Sequence, residues 1–174
     1  VTLTATNDCG SVVATESVTI STQPSAGFGA NITSGCAPLT VQFSDQSSAN
    51  TTSWDWSFPG GNPSSSTDPN PTVTYNNAGS YTVTLVASNA SGTSTSSVTD
   101  YIIVDDVPAA SFTQNTNGQT VDFTNNSTNA NSYSWDFGDG NSSTQTNPTH
   151  TYADDGTYDV ILTATNDCGS VTSM

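Results

Sequence analysis

At 174 residues the chain has room for one or two domains. It contains no Lys or Arg and 15 acidic residues, a formal charge of -15, yet charged residues make up only 9%. With no cation to neutralise phosphate, nucleic-acid binding is excluded, as are a P-loop lysine, an arginine finger and Schiff-base chemistry. An anionic membrane surface repels such a chain, and no apolar run approaches the length of a membrane span. Ser, Thr and Asn do the solvating. Regular alternation of apolar residues, Trp, Tyr and Phe among them, argues against disorder.

Residues 3–12 read LTATNDCGSV and residues 162–171 read the same, an offset of 159. LVASNASGTS at 85–94 is a divergent third copy, which splits the period into steps of 82 and 77. Repeats at this spacing mean tandem units. Residues 1–23 read as the C-terminal strands of a preceding unit, 24–104 as one complete unit, and 108–174 as a second unit truncated in its last strand. In the first stretch Val1, Leu3 and Ala5 alternate with threonines, NDCG at 7–10 turns the chain, and residues 11–20 are expected to return as a strand ending on Val18 and Ile20.

In the complete unit Phe28 marks an edge strand and SGCAPL a turn. Leu39, Val41 and Phe43 form the next strand, and Trp54 and Trp56 the central one. Residues 57–71 read as an aperiodic Pro/Gly/Ser loop; Val73 and Tyr75 form a short strand, Tyr81 to Ala87 a long one, and YIIV at 101–104 closes the unit. Asp105-Asp106-Val107-Pro108 is the linker. The last unit repeats this order, with Phe112 for Phe28 and an Asn117-Gly118 hairpin turn in place of the Cys-bearing one. Matching on the W-D-aromatic pattern pairs Trp135 and Phe137 with Trp54 and Trp56, and sets Gly138-Asp139-Gly140 against Ser57-Phe58-Pro59-Gly60-Gly61.

About seven short strands per unit with no helical period indicate an all-β chain of tandem immunoglobulin-like β-sandwiches arranged end to end. Gly79-x-Tyr81 and Gly156-x-Tyr158 have the placement of tyrosine corners, whose hydroxyls bond back to the backbone. Trp54, Trp56, Trp135, Phe137, Tyr81 and Tyr158 are therefore assigned to the cores, with Trp56 the weakest assignment.

SWDFGDG, NPTHTY and DGTYDVILTATNDCGS resemble the PKD (polycystic kidney disease) domain family, and TSWDWSFPGG, NPTVTY and AGSYTVTLVASNASG resemble a bacterial variant of it. The resemblance covers nearly the whole chain. It implies an immunoglobulin-like sandwich used in tandem, extracellular or at the cell surface, and mostly without catalysis.

In such a sandwich the turn between the first two strands lies at the C-terminal end of the domain, and the last hairpin at the N-terminal end. Cys36 sits in the first kind of turn and Cys168 in the second, so a Cys36–Cys168 bridge across the junction is expected, with Cys9 left for a preceding unit. Cys9–Cys36 and three free thiols are the alternatives. Asp105 and Asp106 in the linker are weak calcium candidates, and no other cofactor is expected. Asp154 and Asp155 read as solvated turn carboxylates, Asp136 as a hydrogen-bond acceptor for a turn backbone, and His150 as a half-buried, hydrogen-bonded residue rather than a catalytic one. Asn31, Asn50, Asn89, Asn125, Asn126 and Asn141 head N-x-Ser/Thr sequons.

The functional expectation is a non-catalytic structural array: a stalk, adhesin shaft, fibre or polymeric filament. Its partners are copies of itself or adjoining repeats of a longer chain. The alternative is a polysaccharide- or surface-binding accessory module of a secreted hydrolase or adhesin.

Overall fold

A computed structural model describes residues 1–174. The alternating N-terminal residues form a hairpin of β1 (Thr2–Asn7) and β2 (Gly10–Thr15), paired from Asn7↔Gly10 to Thr2↔Thr15. No second layer covers it, and every residue of both strands is exposed. The expected continuation of the second strand to Ile20 is not found. β2 stops at Thr15, and Val18 and Ile20 are 69% and 87% exposed. Glu16 still exchanges backbone hydrogen bonds with Val1, at 2.8 and 2.6 Å, but residues 17–20 have no strand beside them to continue the ladder.

The next unit contains β3 (Phe28–Ala30), β4 (Ser34–Cys36), β5 (Leu39–Asp45), β6 (Ser53–Ser57), β7 (Gly61–Asn62), β8 (Ser65–Ser66), β9 (Thr72–Tyr75), β10 (Gly79–Asn89) and β11 (Gly92–Asp105). Two sheets face each other, one ordered β4-β11-β10-β6-β8 and the other β3-β5-β9-β7. The stretch expected to be an aperiodic loop thus holds two short strands, β7 and β8. Period-two alternation turns Leu39, Val41, Phe43, Val73, Tyr75, Val83, Leu85, Ile102 and Val104 inward, where with Trp56 and Phe58 they form a core of 11 buried residues. β11 follows β10 along its whole length past a bulge near Tyr81, so that Tyr81↔Ile102 and Gly79↔Val104 extend the ladder.

The last unit contains β12 (Phe112–Asn117), β13 (Thr120–Asn125), β14 (Ser132–Asp136), β15 (Ser142–Ser143), β16 (Thr149–Thr151), β17 (Ile161–Asn166) and β18 (Gly169–Ser173). Its sheets run β12-β13-β16 and β15-β14-β17-β18. Its buried core is smaller, with six residues: Val121, Phe123, Trp135, Phe137, Tyr152 and Leu162. Both tyrosine corners are present. Tyr81 Oη donates to the Asn77 carbonyl at 2.7 Å and Tyr158 Oη to the Asp154 carbonyl at 3.0 Å, each ring being half-buried.

Cross-strand partners correct the sequence register of the central strands. Trp56 lies opposite Leu85, and Trp135 lies opposite Leu162. The indole of Trp56 donates to the Asp68 carbonyl at 2.8 Å and that of Trp135 to the Gln145 carbonyl at 2.9 Å. Trp56 is thus the counterpart of Trp135, Phe58 that of Phe137, and Trp54 that of Tyr133. Trp56 is 1% exposed and belongs to the core, whereas Trp54 is only partly buried and packs on its edge. The segment facing Gly138-Asp139-Gly140 is accordingly Pro59-Gly60-Gly61.

Candidate functional site at the domain junction

The linker 105–108 is held from both sides. On one side β4 runs parallel to the end of β11, with Cys36 in register with Asp105, and the Ala37 amide donates to the Asp105 carbonyl at 2.9 Å. On the other, the β17–β18 turn brings Cys168 forward, its amide donating to Asn166 Oδ1 at 2.8 Å in a tight Asx turn. Cys36 and Cys168 are joined by a disulfide, with Cα atoms 5.5 Å apart and a sequence separation of 132. Cys9 is a free, exposed thiol.

Asn166 is a functional residue that sequence reasoning missed. Its Nδ2 donates to the Asp106 carbonyl at 2.8 Å and to the Asn129 carbonyl at 2.6 Å, tying the linker to the second sandwich. The same clamp occurs one unit earlier, where Asn89 Nδ2 donates to the Thr22 carbonyl at 2.8 Å and to the Asn50 carbonyl at 3.1 Å. Asn50 Nδ2 adds a second bond to the Thr22 carbonyl, also at 2.8 Å. Pro24 and Pro108 are both buried two residues beyond the clamped carbonyls. The signal was present in the sequence: Asn7, Asn89 and Asn166 hold the same place before each hairpin turn. Asn50 and Asn89 also head sequons, and their amide nitrogens are engaged in this clamp.

Asp105 and Asp106, the weak calcium candidates, both lie at this junction. Asp106 Oδ1 accepts from the Val107 amide at 3.0 Å, and no group of three or more His, Cys, Asp or Glu side chains gathers there or elsewhere in a way that could hold a metal ion. A cavity of about 370 Å³ does lie at the junction, lined by Asp105, Asp106, Asp167 and Asn131 among others.

Asp136, Asp139 and His150 stabilise one turn. Asp136 Oδ1 accepts from the Gly138 amide at 3.0 Å. Gly138 has φ +76, and a Cβ there would lie 2.6 Å from the Asp159 carbonyl oxygen, so only glycine fits the bend. That bend presents Asp139 to His150, with Asp139 Oδ2 2.7 Å from Nε2. The His150 ring stacks on Phe137 with centroids 4.2 Å apart. Desolvation pushes the Asp139 carboxyl up, but hydrogen bonds from the Asn141 side chain, His150 and the Asn141 amide, together with the His150 charge, outweigh it and bring it down to about 2. The pair braces a turn; its partners are an asparagine, a backbone amide and an aromatic ring.

Two immunoglobulin-like sandwiches joined by a short, clamped linker define a tandem β-sandwich module protein. The PKD domain model matches residues 21–104 and again 106–174. The chain belongs to the PKD domain family. It is 41% identical over 76 residues to a microbial collagenase of Vibrio alginolyticus, covering 39% of this chain and 9% of that protein. It is 55% identical over 38 residues to collagenase ColA of Bacillus cereus, covering 22% of this chain and 4% of that one. The matched region is thus less than a tenth of the length of these curated relatives. Among solved structures, a solution NMR structure from Methanosarcina mazei is 38% identical, with a TM-score of 0.38, and covers 52% of this chain and 61% of that one. An amphioxus IgVJ-C2 structure is 14% identical, with a TM-score of 0.46, over 80% of this chain and 96% of that one.

Proposed function

We propose that this chain is a non-catalytic segment of an extracellular stalk, shaft or fibre, in which PKD domains are held end to end at a fixed angle. The observation that supports this most directly is the repeated joint. An Asn side chain grips the linker carbonyl at Thr22 and again at Asp106, and at the second joint a disulfide adds a covalent brace. A linker of a few residues, tied at both ends, leaves two domains little freedom to bend, which is what a load-carrying array needs. The disulfide fits an oxidising, extracellular setting.

The test is small-angle scattering combined with residual dipolar couplings on the oxidised chain. A single interdomain orientation supports a rigid shaft. A broad distribution of orientations, with the disulfide intact, would falsify it.

The collagenase relatives favour a second reading, an accessory module of a secreted enzyme. Its sugar-binding form needs an exposed aromatic platform, and Trp56 and Trp135 are 1% and 0% exposed. A glycan array on the folded chain distinguishes the two, since selective retention of one polysaccharide class supports the accessory module.

A further inference from the structure

Cys36 and Cys168 close a loop of chain, and both hydrophobic cores lie inside it. Every buried core residue of the first sandwich, from Leu39 to Val104, and of the last, from Val121 to Leu162, falls between the two cysteines in sequence. Tension on a chain is borne by its shortest covalent route, because longer routes stay slack. Between a point before Cys36 and a point after Cys168, that route leaves the backbone at Cys36, crosses the Sγ–Sγ bond and rejoins the backbone at Cys168. A sequence separation of 132 is bypassed by two Cα atoms that lie 5.5 Å apart.

The two stretches left on that route run lengthwise along the sandwiches. The first enters at Thr22, whose carbonyl is gripped by Asn89 at the end of β10, and Gln23 lies against Gly92 at the start of β11. It ends at Cys36, in parallel register with Asp105, the last residue of β11. Residues 22–36 thus span the length of β11, 14 residues, with about as many residues of their own. At about 3.3 Å per residue that leaves little slack. On the way Phe28–Ala30 pair antiparallel with Phe43–Asp45, and Ser34–Cys36 pair parallel with Ile103–Asp105. The second stretch, β18, starts at the junction beside Cys168 and runs away from it, paired with β17 from Asn166↔Gly169 to Leu162↔Ser173.

We propose that the Cys36–Cys168 bridge is a tension bypass: it carries an axial pull around both cores, and the pair of sandwiches becomes extensible only when it is reduced. This rests on the stalk reading and names what controls the stretch of its joint. With the bond intact, the pull acts on β3, β4 and β18, none of which supplies a buried core residue. The strands between Cys36 and Cys168 stay off the route. A dithiol opens the bond by two thiol–disulfide exchanges, which leave the Cys36 and Cys168 thiols and convert the dithiol to its own cyclic disulfide. The pull then passes through the backbone of both sandwiches. Unfolding them lengthens the chain by about 460 Å, the reach of the bypassed separation of 132 at about 3.5 Å per residue.

The test is a force clamp on the full chain with Cys9→Ser, so that the exposed thiol cannot exchange with the bridge, and with handles at its two ends. The tension is one that unfolds the reduced chain. Before reductant is added, the oxidised chain should lengthen only by the unzipping of β1–β2, which lies outside the loop. Dithiothreitol added under the same tension should then release about 460 Å in two separate steps after a lag, one for each sandwich. A single jump of that size at the moment of cleavage would mean that the cores had already unravelled inside the closed loop, and would overturn the proposal. So would an oxidised chain that lengthens further than its hairpin allows. A second attachment keeps the tension and changes the route. With one handle at the N-terminus and the other on a bio-orthogonal residue in place of Gln119, at the β12–β13 turn, the shorter arm of the loop, 119–168, carries the pull. The oxidised chain should then lengthen by about 170 Å beyond the share of its hairpin. No such lengthening would show that the cores resist by themselves, and would also overturn the bypass. Either failure leaves a fixed interdomain angle in solution, and with it the stalk, untouched, whereas a variable angle counts against the stalk alone.

Discussion

Removing the junction disulfide should destabilise the last sandwich far more than any surface change. Consider Cys36→Ser, with Cys168→Ser alongside to leave no lone thiol. The bridge has a sequence separation of 132, but when one domain unfolds while the other stays folded the relevant loop is shorter. About 60 residues lie between the linker and Cys168, and closing a loop of that length removes about 4 kcal/mol of unfolded-state entropy in the chain-entropy model. Measured bridges usually contribute about 2–4 kcal/mol. The last sandwich has six buried core residues against 11 in its neighbour, so it has less stability to lose. In a domain this small, that loss lowers the melting temperature by roughly 10–30 °C. Differential scanning calorimetry should show the transition of the last sandwich moving down and separating from the other. The Asn166 clamp remains in the variant, so the interdomain orientation should broaden rather than be lost. A shift of under about 1 kcal/mol in that transition would refute the assignment of the bridge as the main brace.

Two further outcomes follow from the geometry. Trp56→Ala should cost about 3–5 kcal/mol in urea unfolding and Trp54→Ala clearly less, because only Trp56 is fully enclosed; equal losses would restore the sequence-based pairing of the two strands. The Asp139 carboxyl is lowered to about 2 in the folded state, below its ordinary value. A lowered carboxyl contributes stability that is fully present above its unfolded pKa and lost as pH falls through the folded one. Acid unfolding should therefore steepen between about pH 4 and pH 2, and Asp139→Asn should flatten that window. An unchanged acid limb in the variant would exclude the Asp139–His150 pair as its source.

Much of this protein was legible before any coordinates. Strict alternation in stretches such as Leu39–Phe43 and Tyr81–Ala87 specifies half-buried strands, because the side-chain period of a strand is two. Gly79-x-Tyr81 and Gly156-x-Tyr158 specified the corners, since a tyrosine there has a backbone carbonyl within reach of its hydroxyl. The order of strands in an immunoglobulin-like sandwich puts the Cys36 turn and the Cys168 hairpin at facing ends of adjacent domains.

Other features were decided only by tertiary structure, for definable reasons. A slip of two residues along a strand leaves every side chain on the same face, so alternation could not tell whether Trp54 or Trp56 was the counterpart of Trp135. Only the partners across the sheet, Leu85 and Leu162, separate those choices. The Asn166 clamp depends on a carbonyl 60 residues away in sequence. Val18 and Ile20 carry the pattern of a strand and form none in this chain. Sequence determines which face a strand would bury; whether it is a strand at all depends on a neighbouring edge, and residues 17–20 have none beside them.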